Sequence, residues 1–162
     1  MRYAGIIEND CSAAPGICVT FFVQGCEQHC EGCHNPDTWD YNGGKEFTKE
    51  TLETIDNLIK ANGVQRNLCI MGGEPLSPKN QAMTLSVIDY IKERNPGIKI
   101  YLWTGYKAED LQFIGNIVIM KRILKNLTWL IDGPFEIDKR DITLPYRGSS
   151  NQRVIENPID FI

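Results

Sequence analysis

The 162-residue sequence has no apolar run approaching the ~18 residues that a bilayer span needs, so no transmembrane segment is expected. Its first stretch, MRYAGIIENDCSAAPG, carries one basic residue and no apolar h-region, which argues against a signal peptide. Basic charge is not in excess. Seventeen Lys and Arg against 21 Asp and Glu leave a net charge of −4, which disfavours broad binding to nucleic acid or to anionic membranes. Repeats, low-complexity tracts and charged tails are missing, and no catalytic triad or carboxylate pair stands out. With no export signal, a reducing, cytoplasmic setting is expected, where the six cysteines stay as thiols or bind metal rather than pair.

What remains is an ordinary globular composition, 42% hydrophobic and 23% charged, long enough for one domain spanning residues 1–162. A domain of this size buries roughly 70% of the surface its unfolded chain exposes, enough for a core without staples. VTFFV (19–23) reads as a buried strand, and NLCIMGGEP as a strand that turns at Gly72-Gly73. IKIYLWTG (98–105) and TWLIDG (128–133) read as two more strands. Between them, FTKETLETIDNLIKANG has Thr48 as N-cap and Leu52, Ile55, Leu58 and Ile59 on one face. KNQAMTLSVIDYIKERNPG is a second helix that stops at Pro96-Gly97; KAEDLQFIG and NIVIMKRILKN read as a short helix and another helix. The tail from Pro134 reads as irregular or hairpin-like. Alternating strands and helices predict an α/β fold with a mainly parallel sheet, and ligands in such folds sit at the carboxyl ends of the strands. Cys26, Gly72, Thr104 and Asp132 each lie just past a predicted strand, so they are expected to share one edge.

The densest chemistry lies in QGCEQHCEGCHNP, Gln24 to Pro36, where Cys26, Cys30 and Cys33 have the spacing C-x3-C-x2-C. Four readings compete. A Cys3His zinc site would take His29 or His34 as fourth ligand, but one compact loop staples little chain. Cys30-Glu31-Gly32-Cys33-His34 matches C-x-x-C-H haem attachment, which leaves Cys26 surplus and needs export. A redox dithiol at Cys30 and Cys33 expects a thioredoxin-like context with the pair opening a helix. A [4Fe-4S] cluster on three thiolates leaves one iron open to a small molecule, as three-ligand zinc sites do.

C-x3-C-x2-C after a strand resembles the radical S-adenosylmethionine superfamily. GGEP (72–75), YLWTGY (101–106), DGPF (132–135) and RGSSNQRVI (147–155) follow in order. Together they look like the glycyl-radical activases of anaerobic ribonucleoside-triphosphate reductase, from about Gly16 to Ile155. The resemblance implies an incomplete, TIM-like β/α barrel, a reduced form of the superfamily core. It implies a [4Fe-4S] cluster on Cys26, Cys30 and Cys33, and S-adenosylmethionine held by Gly32, Cys33, His34, Gly72, Gly73 and Glu74. Gly72 and Gly73 would let the main chain approach the methionine, and Glu74 would accept hydrogen bonds from its ammonium. No side-chain catalyst is implied; the cofactor is reductively cleaved, and a hydrogen is abstracted from a glycine of the large reductase subunit. The implied electron donor is of the flavodoxin type, and a homodimer or heterotetramer is the implied assembly. No RVxGY-like loop is present, so this chain would generate the radical rather than carry it.

Two positions depart from patterns common in related enzymes: Gly32 replaces the aromatic that precedes the third cysteine in many superfamily members, and Cys18 follows the PGI turn where activases often have a basic residue. Alternatives are a pyruvate formate-lyase-type activase, a carboxy-deazaguanine synthase-like enzyme and a non-catalytic zinc-binding adaptor. Cys18 and Cys69 are expected to act as small buried hydrophobes, and Cys11 to be exposed. Trp103-Thr104-Gly105 are candidate pocket residues, Arg147 to Arg153 a candidate pocket-ordering or partner-contacting segment. Lys121, Arg122 and Lys125 read as a solvated helix face.

Overall fold

The computed structural model describes residues 1–162. The chain opens with a long strand, β1 (Arg2–Asp10), then β2 (Cys18–Val23) and, beyond the cysteine loop, the two-residue β3 (Lys45–Glu46). There follow α1 (Lys49–Lys60), β4 (Asn67–Gly72), α2 (Gln81–Arg94), β5 (Ile100–Trp103), α3 (Ile117–Lys125), β6 (Trp129–Asp132) and β7 (Arg153–Glu156). One seven-stranded sheet runs in the order β3-β1-β2-β4-β5-β6-β7. Its centre, β2-β4-β5-β6, is parallel, as the βαβ pattern predicts. Both flanks are antiparallel, leaving an open sheet with β3 and β7 at its edges.

The flanks correct the sequence reading. β1 has no fully buried residue, so RYAGIIEND carries neither a clean alternation nor an apolar run. Its pairing partners β2 and β3 define it. The tail after Pro134 is partly ordered by β7, four residues antiparallel to β6. KAEDLQFIG does form a short helix, of 3₁₀ type, over Ala108–Phe113. Thr48 does cap α1: its N–H donates to the Thr51 hydroxyl at 3.0 Å.

The parallel strands are covered on both faces, and their alternation assigns each residue a side. Phe21, Ile70, Leu102 and Leu130 join Ile55, Ile88 and Ile123 of the helices in a core of 24 buried residues. Each such side chain contributes roughly 1.5–3 kcal/mol by leaving water. The residues between them, Cys69 and Tyr101 with Met71, Trp103 and Trp129 against them, look the other way. That second face carries the cavity described next.

Candidate metal and cofactor site

A cavity of about 530 Å³ extends over the second face of the sheet and across the carboxyl ends of its parallel strands. Asp10, Met71 and Trp103 contribute from the strands, Cys26, Cys30 and Cys33 from the loop after β2. The root of that loop is held by two buried amides. Gln24 donates to the Asp37 and Asp40 carbonyls at 3.0 and 2.7 Å. Asn80 donates to the carbonyls of Gln24, Gly25 and Glu74 at 3.3, 3.2 and 3.0 Å. Neither residue is legible as a site residue in the sequence, since Asn80 immediately precedes α2 and looks like a helix cap. Further along the loop, the Glu27 carboxylate accepts hydrogen bonds from the Tyr41 and Tyr106 hydroxyls.

Cys30 to Cys33 form a tight turn in which the Cys33 N–H donates to the Cys30 carbonyl at 3.1 Å. Gly32 sits at the third position with φ +75, the conformation that glycine adopts without a Cβ penalty. A Cβ there would also come within 2.7 Å of the Ile137 side chain. Gly32 itself is not among the residues lining the cavity, although Cys33 and His34 beside it are. It shapes the turn that brings the second and third cysteines together. Those cysteines do not open a helix, so the thioredoxin-like context is missing. Burial pushes the Cys26 thiol up to about 11, opposed by the Gln28 and His29 backbone N–H groups, and it raises the Cys30 thiol too. Metal binding would require these thiols to give up their protons.

His34 lines the cavity, 5.3 Å from the Phe135 ring. His29 lies outside it, exposed and stacked on Trp39 at 4.5 Å. Cys18 and Cys69 are buried in the sheet and Cys11 is exposed, so the cavity holds three thiols and no fourth.

Gly72, Gly73 and Glu74 also line the cavity, and each has a structural role there. A Cβ on Gly73 would meet the Gly25 carbonyl oxygen at 2.4 Å, and one on Gly72 (φ +107) the Val23 backbone at 2.8 Å. The glycines therefore allow protein main chain to approach protein main chain, locking the end of β4 to the start of the cysteine loop. The Gly73 and Glu74 N–H groups complete that lock, donating to the Val23 and Gly25 carbonyls at 2.9 and 2.8 Å. The Glu74 carboxylate is buried and already accepts three hydrogen bonds: from Leu76 N at 3.0 Å, Thr104 Oγ1 at 2.7 Å and Gly105 N at 2.7 Å. Burial pushes it up to about 7 while those donors hold it down. Its evident work is to tie β4 to the end of β5.

The far wall comes from the tail. Trp103 Nε1 donates to the Tyr146 carbonyl at 2.8 Å, and Gly148 N to Gln152 Oε1 at 2.9 Å, so residues 146–148 form a pinned strap. The four positions expected to share one edge all lie at the carboxyl ends of the parallel strands; Cys26, Gly72 and Thr104 line the cavity, and Asp132 does not. Asp132 instead faces a second, polar cavity, where its buried carboxylate pairs with Arg153. Gly133 borders both.

The donor set fits an iron–sulfur cluster. Three cysteine thiols share one cavity wall, and thiolate is the ligand such clusters take. No three His, Cys, Asp or Glu side chains converge as the ligands of a single ion do. A buried guanidinium nitrogen without a hydrogen-bond acceptor, Arg147 Nε, belongs to the same cavity lining.

Comparison with known proteins agrees with this chemistry. A family model described as a 4Fe-4S single cluster domain matches residues 13–155. The chain is 36% identical over 155 residues to the anaerobic ribonucleoside-triphosphate reductase-activating protein of Escherichia coli (strain K12), which spans 95% of this chain and 97% of that protein. It is 36% identical over 157 residues to the protein of the same name from Enterobacteria phage T4, with 97% and 95% covered. For the Haemophilus influenzae counterpart the identity is 33% over 153 residues, 94% and 96% of the two chains. A three-thiol cavity at the end of a mixed α/β sheet and end-to-end similarity lead to one assignment: the chain belongs to the family of anaerobic ribonucleoside-triphosphate reductase-activating proteins, with a 4Fe-4S single cluster domain.

Proposed function

We propose that this chain is a radical S-adenosylmethionine activase that installs a glycyl radical on the large subunit of anaerobic ribonucleoside-triphosphate reductase. The reading is carried by one observation: a cavity that gathers Cys26, Cys30 and Cys33 and no fourth thiol. Those three would hold a [4Fe-4S] cluster and leave one iron for the cofactor. When bound, the cluster and S-adenosylmethionine supply a one-electron cleavage that ends in hydrogen abstraction from the partner's glycine. The chain's own part is to bind, orient and exclude water. Gly32, Cys33 and His34 offer main chain to the nucleotide, and Gly72 and Gly73 offer main chain to the methionine. Gly32 also sets the turn of the cysteine loop, and Glu74, which holds the β4 and β5 ends in register, accepts a hydrogen bond from the methionine ammonium.

In this proposal the whole chain, residues 1–162, acts as one unit, an incomplete β/α barrel whose open side the reductase subunit covers. It works in the cytoplasm with an electron donor of the flavodoxin type, within a homodimer or a heterotetramer. No helix is long and apolar enough to cross a membrane.

The test is anaerobic reconstitution with iron and sulfide, assay of 5′-deoxyadenosine under dithionite, and electron paramagnetic resonance after mixing with the reductase subunit. About four irons per chain, nucleoside release and a glycyl doublet are expected. Release without a doublet would reassign the chain to another radical enzyme of the superfamily. Zinc in place of iron would make it an adaptor.

A further inference from the structure

We propose that Arg147 binds the carboxylate of the methionine moiety of S-adenosylmethionine, an assignment that rests on the function proposed above. Arg147 is the one Lys or Arg among the residues lining the three-thiol cavity. It forms no ion pair; every ion pair of the molecule lies elsewhere. Nη1 donates to the Gln152 carbonyl at 3.1 Å, which anchors the group, while Nε is buried with no acceptor. A buried donor without an acceptor is destabilising, so a cavity-lining guanidinium with its Nε unsatisfied and no ion pair marks a place for an anion.

The acids of the cavity do not fill that place. Asp10 accepts from Ser12 N, Ser12 Oγ, Ala13 N and Thr20 Oγ1 at 2.8–3.1 Å. Glu74 is engaged by Leu76, Thr104 and Gly105. The strap on either side of Arg147 is fixed by the Trp103–Tyr146 and Gln152–Gly148 hydrogen bonds, and Gln152 Nε2 ties it to the Gly133 carbonyl at 3.0 Å. The guanidinium is thus held by the fold before any ligand arrives.

The cofactor carries two cations, its sulfonium and its ammonium, and one anion, its carboxylate. A planar guanidinium matches a planar carboxylate through paired N–H donors, a geometry that an ammonium point charge does not reproduce. Arg147 would therefore select the amino-acid end of the nucleoside and set which end of the cavity it occupies.

The experiment compares anaerobically reconstituted holoprotein with its Arg147→Met and Arg147→Lys variants. Binding of S-adenosylmethionine and of its decarboxylated analogue is measured by equilibrium dialysis without reductant, alongside iron and sulfide content. In Arg147→Met, S-adenosylmethionine should bind about 10- to 100-fold more weakly, the range for a lost charge-assisted hydrogen bond. The decarboxylated analogue should bind as it does to wild type, and iron content should not change. Arg147→Lys should recover part of the loss. Equal weakening of both ligands, no weakening of either, or loss of iron in Arg147→Met would overturn the assignment. Wild-type holoprotein that holds iron and sulfide yet binds neither nucleoside would instead overturn the proposed function, and the assignment with it.

Discussion

At the scale of single residues, the site owes more to main-chain contact than its motifs imply. Gly73 faces the Gly25 backbone, which cannot move aside as a flexible side chain would. Gly73→Ala is therefore expected to destabilise the protein by about 2–3 kcal/mol, read from the urea midpoint, and to lower iron incorporation with it. Gly5→Ala is the control. It lies in β1 with nothing within 4 Å of the added Cβ, and should stay within ~0.5 kcal/mol of wild type. The two outcomes together separate close approach from a general effect of losing glycine. Gly32 teaches a similar lesson: its residue type was legible as part of the cysteine motif, but its role came from φ and from Ile137, more than a hundred positions away.

At the scale of elements, the antiparallel strand β7 is fastened across the sheet edge by charge. Arg153 reaches Asp132 at the end of β6 and forks onto Glu109 with both N–H···O distances at 2.8 Å. The Arg153 hydrogen bonds hold the Glu109 carboxyl down to about 2, against an ordinary value of 4.5. A carboxylate whose folded pKa is depressed contributes stability that is present above its unfolded pKa. That contribution is lost as pH falls from about 4.5 through about 2. The melting temperature of wild type should thus exceed that of Glu109→Gln above pH 5, and the gap should shrink as pH falls and close near pH 2. A gap that ignored pH across this window would deny the ion pair any part in holding β7. The same element explains why Asp132, though at the expected strand-end edge, does not line the thiol cavity: β7 sets Arg153 opposite it, and the pair borders the second cavity.

For the molecule as a whole, core and site lie on different faces of one sheet. The 24-residue core packs against the helices, whereas Cys26, Cys30 and Cys33 occupy a loop and none of them belongs to that core. Cys30→Ala should therefore leave a cooperatively folded chain with a wild-type far-ultraviolet circular dichroism spectrum and lose cluster assembly and nucleoside cleavage. Cleavage at the wild-type rate would remove Cys30 from the ligand set. Loss of cooperative unfolding would show that the cluster loop helps hold the fold.

The parallel centre of the sheet, its helices and the cysteine triplet were legible in the sequence because each rests on local information: apolar period, capping residues, motif spacing. β2, β4, β5 and β6 are runs of buried residues that only a doubly covered strand uses. β1 and β7 carry no such signal, since their partially exposed residues become strand only by pairing with neighbours already in place. Gln24 and Asn80, the hydrogen-bonded Glu74 carboxylate and the unpaired Arg147 Nε are likewise products of distance closed by folding. A hydrogen bond spanning 56 residues, such as Asn80 to the Gln24 carbonyl, has no periodicity to announce it. The sequence alone determined which chemistry the protein carries, because thiol ligands come as a local motif; the tertiary structure decided which polar groups remain free to meet a ligand, because that depends on every other group brought alongside.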